Sequence, residues 1–163
     1  MTEYQGISLD NRWNHLQELR QARKDAKKQA IHDQRSRVVS LGNRLALTMS
    51  RRDAFIQAWA VIKAGGLELA VKGVTFGNRQ EALRRLATYA PEQVRAFIVP
   101  EPTNPVDTHA VAVMVGVQGG KGLYRLGYVP RTAAPVVAAM LGKLPTLRVL
   151  DGDIRGARIT LAA

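Results

Sequence analysis

Apolar residues recur every three to four positions in the first third of the chain and at alternate positions after it. Leu9, Trp13, Leu16 and Leu19 follow the helical interval around Asp10, a reasonable N-cap, and predict a helix over 9–37. Beyond Ala22 the apolar stripe thins to alanines and Ile31, while Arg20, Arg23, Lys24, Lys27 and Lys28 crowd the surface. No Gly or Pro interrupts the run between Asp10 and Leu41. SRRDAFIQAWAVIKAGG, residues 50–66, predicts a second helix. Ser50 and Asp53 make an approximate capping box, and Gly65-Gly66 supply the stop. Phe55, Trp59 and Ile62 share one stripe, so Trp59 reads as a core residue, with base stacking as the alternative.

From Leu67 the texture changes to short strands. LELAVKGVTF (67–76), VRAFIV (94–99), AVAVMVGV (110–117), LYRLGYV (123–129), TLRVL (146–150) and ARITLAA (157–163) all read as strands. NRQEALRRLATYAP (78–91) reads as a short helix capped by Asn78 and Glu81 and closed by Pro91. PRTAAPVVAAMLG (130–142) reads as another, with Pro135 tolerated in its first turn. The run Gly119-Gly120-Lys121-Gly122 between two strands is a hairpin turn in preference to a phosphate cradle. Helices are too few for regular βαβ units, so the pattern predicts an α+β chain with a small antiparallel β-barrel or strongly curved sheet. The expected division is a helical, basic region at 1–66 and a strand-rich domain at 67–163.

Composition narrows the chemistry. The chain has 163 residues, 46% of them apolar, enough for a packed core. It has no cysteine, which excludes disulfides and thiolate metal sites, and its three histidines, His15, His32 and His109, are far apart. No cofactor and no metal are expected. The first residues lack a basic segment followed by an apolar run, and no uncharged stretch is long enough to cross a bilayer, so the expectation is a cytoplasmic protein with no membrane partner. Lys and Arg number 24 against 13 Asp and Glu, a net charge of +11. The surplus is spread: nine basic against five acidic residues in 1–48, four against two in 49–72, eleven against six in 73–163. A balance of that size favours a polyanion, because neutralised phosphates release condensed counterions.

The most informative stretch is EPTNPVDTHAVAV, residues 101–113, a proline-braced corner that runs straight into a strand. Taken with VKGVTFGNRQEALRRL before it and YRLGYVPRTAAPVVAAML after it, it resembles the HIRAN domain family. Glu101, Pro102, Asn104, Pro105, Asp107, Ala110, Val111 and Val113 carry the corner, and Gly127, Tyr128 and Val129 carry the second element. The resemblance spans about residues 67–163. It implies an OB-like β-barrel that binds single-stranded DNA and captures its 3′ end, a module found fused to SWI/SNF-type remodelling helicases and also as part of bacterial and phage proteins.

On that resemblance the candidate nucleic-acid-binding residues are Thr75, Phe76, Arg79, Asn104, Val106, Asp107, Tyr128 and Arg131. Their chemistry suits the role. A carboxylate at Asp107 can accept a terminal 3′-hydroxyl, and the Asn104 amide both donates and accepts. The prolines fix φ, so the corner loses little entropy on binding. Phe76 and Tyr128 offer faces to a base, and Arg131 and Arg79 offer charge to a phosphate. The alternative for Asn104 and Asp107 is a pair of Asx turns that close the corner on its own backbone. Val106 stands where DNA-binding members of the family often carry an aromatic, which removes one side of a base sandwich. No nucleophile–base pair, phosphate loop or zinc-protease helix is present, so no enzyme activity is expected. The expectation is a non-enzymatic DNA-binding protein, of phage or mobile-element type, with a possible homo-oligomer through residues 9–37. The rival is a protein-interaction module with the same fold.

Overall fold

A computed structural model describes residues 9–163, with side chains described from residue 13. Among the described residues the chain is α+β, with four α-helices and two three-stranded antiparallel sheets. It packs as two units, Met1–Arg37 and Val38–Ala163.

Helix α1 spans Leu9–Leu45, past the expected end at residue 37, and Asp10 lies inside its first turn instead of before it. Its last turns belong to the second unit, where Val38, Leu41 and Leu45 are buried at helical spacing. Burial of that stripe carries the helix through Gly42. A Cβ there would lie 3.1 Å from the Phe55 ring, so the glycine admits the aromatic side chain.

Helix α2 is Arg51–Lys63. The Ser50 hydroxyl accepts from the Asp53 amide at 3.2 Å and donates to the Asp53 carboxylate at 2.6 Å, half of a capping box. Gly65, at φ 77°, takes the left-handed position that ends the helix. The face turned to the core is Ala54, Ala58, Val61 and Ile62. Trp59 lies beside that small-residue face and is 45% exposed, which corrects its reading as a core residue.

The first sheet has the order β1-β6-β5, from β1 (Gly66–Ala70), β5 (Thr146–Leu150) and β6 (Gly156–Ala162). The second has the order β2-β3-β4, from β2 (Val94–Pro100), β3 (Val111–Val117) and β4 (Tyr124–Tyr128). One bridge joins the two: Lys72 N donates to Tyr128 O at 2.8 Å and Tyr128 N to Lys72 O at 2.9 Å. Strands β2 and β5 approach each other without a hydrogen-bonded ladder, so the six strands do not form a closed barrel.

Three elements besides α1 depart from the sequence reading by more than a residue or two. The strand expected over 67–76 stops at Ala70, because Gly73 and Gly77, at φ 77° and 58°, turn the chain; Thr75 and Phe76 therefore sit in a turn. The helix expected over 78–91 is α3, Arg79–Leu86, with no side-chain cap from Asn78, and Pro91 opens a separate 3₁₀ turn. Residues 131–133 form a 3₁₀ turn that leads into α4, Ala134–Ala139.

Leu45, Leu83, Leu126, Met140, Ile159, Leu161, Val113 and Val137 are the largest fully buried side chains. They come from helices and from both sheets, so the two sheets share one core. Strand β4 carries one residue more than β3 opposite it: Val113 faces Gly127, but Met114 faces Arg125, which leaves Leu126 as the extra residue. In a regular strand, residues 125 and 128 would point to opposite faces. The bulge turns Arg125 and Tyr128 to the same side, with Arg125 Nη1 3.0 Å from the Tyr128 hydroxyl.

Gly127 is the position where this arrangement is most easily broken. A Cβ there would collide with the Lys72 carbonyl and lie 2.7 Å from Val71 Cγ1. Gly127→Ala is expected to cost about 1–3 kcal/mol in urea unfolding, as overpacking does. Gly122→Ala, which meets nothing within 4 Å, is expected to cost less than about 0.5 kcal/mol.

Candidate functional site

The corner between β2 and β3 is closed by its own hydrogen bonds. Glu101 N donates to Ala110 O at 2.8 Å, Asn104 N to Glu101 O at 3.0 Å, and Ala110 N to Asp107 O at 3.0 Å. Asn104 holds the middle. Its Oδ1 accepts from Val106 N at 3.0 Å and from Asp107 N at 3.2 Å. Its Nδ2 donates to Glu101 Oε2 at 2.9 Å and lies 3.4 Å from the Tyr128 hydroxyl. Every polar atom of the amide thus has an internal partner, and the Asx-turn alternative describes Asn104. The residue orders the loop instead of offering free valence to a ligand.

Asp107 divides its carboxylate. Oδ1 accepts from His109 N at 2.9 Å, a second Asx turn. Oδ2 faces Arg131, whose Nε lies 3.5 Å away on a side chain that is 83% exposed. An ion pair this long and this open contributes at most about 1 kcal/mol, so the oxygen and the guanidinium can exchange each other for a ligand at little cost.

The anchor of the site is Glu101, which sequence reasoning placed in the motif without giving it a role. Its Oε2 accepts from Asn104 Nδ2 at 2.9 Å and from the Tyr128 hydroxyl at 3.0 Å, and its Oε1 accepts from Arg125 Nη1 at 3.0 Å. The Asn104 amide, followed by Arg125 and the Tyr128 hydroxyl, holds the Glu101 carboxyl below its ordinary 4.5, against the opposing effect of desolvation. Glu101 in turn raises Arg125. No local pattern links position 101 to 125 and 128; a lone acidic residue before a proline in a basic domain was the available signal.

The Tyr128 hydroxyl is therefore used inside the protein, and its ring is the part left for other contacts. Arg79 lies with its guanidinium carbon 5.9 Å from the ring centroid, and Arg125 with its own at 5.7 Å. Arg79 is steadied by a 2.6 Å bond to the Gly73 carbonyl. A cavity of about 300 Å³ opens beside the ring, lined by Asn104, Val106, Asp107, Tyr128 and Arg131, together with His109, Ala110 and Val129. Five of the eight sequence-predicted residues thus meet at one cavity. Arg79 reaches it only through Tyr128, while Thr75 and Phe76 lie in the turn outside its lining, Phe76 with 70% of its surface exposed. Val106 is 92% exposed at the rim and offers an aliphatic edge. A larger cavity of about 450 Å³ lies between α3 and the β3–β4 hairpin, but two of its charged residues, Glu81 and Arg85, are bonded to each other at 3.1 Å.

No protein-family model, curated protein or solved structure matches this chain.

The depressed Glu101 carboxyl gives a pH-dependent prediction. A carboxyl whose folded value is lowered contributes stability above its unfolded value and loses it as pH falls through the folded one. Wild type should therefore exceed Glu101→Gln in urea midpoint at neutral pH. The gap should begin to shrink as pH drops below 4.5, where unfolded glutamate takes up its proton. Parallel titrations of the two proteins at several pH values check this; a gap that stays constant down to strongly acid pH contradicts it.

Proposed function

We propose that the Val38–Ala163 unit is a binding module for single-stranded DNA that receives a 3′-terminal nucleotide beside Tyr128. The observation that carries the reading is the cavity of about 300 Å³ in which an aromatic ring, a carboxylate with one oxygen outside the loop's own hydrogen bonds and an exposed guanidinium converge. That volume lies at the small end of ligand sites, suited to one nucleotide and no more. In this reading the base lies against the Tyr128 ring, worth about 1–3 kcal/mol in stacking. Asp107 Oδ2 accepts the terminal hydroxyl and Arg131 turns from Asp107 to the neighbouring phosphate. Asn104, Glu101 and Arg125 act as positioning residues, because their polar atoms are engaged in holding the loop and the ring.

The arrangement of the sheets supports the same reading. Two antiparallel sheets that share a core, bridged at Lys72–Tyr128 and approaching again at β2 and β5, are read as an open OB-like barrel of the HIRAN kind. The recognition assigned here is binding without bond cleavage: the groups at the cavity accept a hydroxyl, stack a base and pair a phosphate. Net charge of +11 supplies the long-range attraction. With Val106 in place of a second aromatic, a single ring holds the base, so affinity rests on the terminal hydroxyl and the phosphate more than on stacking.

Fluorescence anisotropy with matched oligonucleotides, one ending in a 3′-hydroxyl and one in a 3′-phosphate, tests the reading. A hydrogen bond to a charged group contributes about 1.5–3 kcal/mol, so the hydroxyl end should bind about tenfold tighter or better. Asp107→Ala should abolish that preference, and Arg131→Ala should weaken both ligands alike. Equal wild-type affinity for the two ends removes end capture from the function.

A further inference from the structure

Between Glu18 and Arg35, helix α1 segregates its charges. At 100° per residue, Arg20, Arg23, Lys24, Lys27, Lys28 and Arg35 fall within an arc of about 140°. The acidic residues of the same stretch, Glu18, Asp25 and Asp33, fall on the opposite side. The two aspartates are bonded by glutamines instead of lysines: Gln21 Nε2 reaches Asp25 at 3.1 Å and Gln29 Nε2 reaches Asp33 at 2.8 Å. Among the described residues none of the six cations is in an ion pair, and all six are exposed.

A helix that only needed solubility would set glutamates four residues before its lysines, which stabilises it. This one places cations at i, i+4 instead, Arg20 with Lys24, Lys24 with Lys28 and Arg23 with Lys27, pairs that repel. The unbalanced strip is the signature of an external anion.

We infer that this face of α1 binds the phosphate backbone of duplex DNA, a second nucleic-acid contact independent of the cavity at Asp107. From Arg20 to Arg35 the strip is about 22 Å long on a rigid helix. A duplex presents phosphates in fixed rows, so neither side loses much freedom when they meet. Trp13, Leu16 and Ile31 are interleaved with the cations on the same side, and Arg20 lies 6.0 Å from the Trp13 ring. A membrane-surface helix keeps its apolar and basic faces apart. A second copy docked on the same face would set cation against cation.

The test uses the full chain and a blunt duplex with both 3′ ends phosphorylated, which removes end capture from the measurement. Anisotropy titrations from 50 to 200 mM KCl give the salt slope. K24Q/K27Q/K28Q, which keeps helix propensity, should have a slope shallower by about 2.7, at about 0.9 for each phosphate that the variant no longer neutralises. The same rise in salt then costs this variant about 40-fold less affinity than it costs wild type. K24R/K27R/K28R should keep the wild-type slope, and R20Q/R35Q should reproduce part of the effect at two other positions. Equal slopes for wild type and both Gln variants, with unchanged helicity by circular dichroism, overturn the inference. So does tighter binding to vesicles of anionic phospholipid than to the duplex. A change of oligomeric mass in the Gln variant with unaltered duplex binding does the same.

Discussion

A single carboxylate holds the corner and the strand end together. Glu101 sits where β2 hands over to the loop, and its two oxygens take hydrogen bonds from Asn104, Tyr128 and Arg125. Each partner has a further duty. Asn104 ties down the amides of Val106 and Asp107, Tyr128 bridges the sheets through its backbone, and Arg125 supplies the countercharge. A partly buried carboxylate with three donors is a strong organiser, because each donor satisfies charge that burial would otherwise penalise. The position of Asp107 and the orientation of the Tyr128 ring both follow from it.

The corner spans two kinds of rigidity. Prolines at 102 and 105 restrict the backbone before any contact forms. Asx turns at Asn104 and Asp107 then use up the amides that a loop between strands would otherwise leave to water. Asp107 Oδ2 and the Arg131 head group are held only by their exposed ion pair with each other, and these are the two charged groups that face the cavity. Order in the frame and looseness at the contact are what a site needs if it is to bind without first rearranging its backbone.

Much of the fold was legible in the sequence. Alternation located all six strands, five of them to within a residue at either end, and Ser50, Gly65 and Gly119 worked as punctuation where they were expected to. The misses have physical reasons. Helix α1 overruns its apolar stripe because Val38, Leu41 and Leu45 are buried in the core, and α2 turns Ala54, Ala58, Val61 and Ile62 inward, which leaves Trp59 exposed. At the site, the corner motif pointed to Asn104, Asp107, Tyr128 and Arg131, and these do meet. It gave no hint that Glu101 was the hub or that Asn104 was fully engaged, since both facts depend on partners 24 and 27 residues away along the chain. Thr75 and Phe76 were placed on a strand that glycine at 73 and 77 cuts short.

The extra residue in β4 has a bearing on how motifs of this kind are compared. Past Leu126 the alternation of the strand is inverted, so the parity of one insertion decides whether the Gly-Tyr-Val segment shows its phenol ring to the cavity or to the interior. Two chains can therefore spell the same letters across this region and present opposite surfaces. Letter-by-letter similarity is blind to that difference; a count of residues between the paired positions Ala112–Tyr128 and Val115–Tyr124 reveals it.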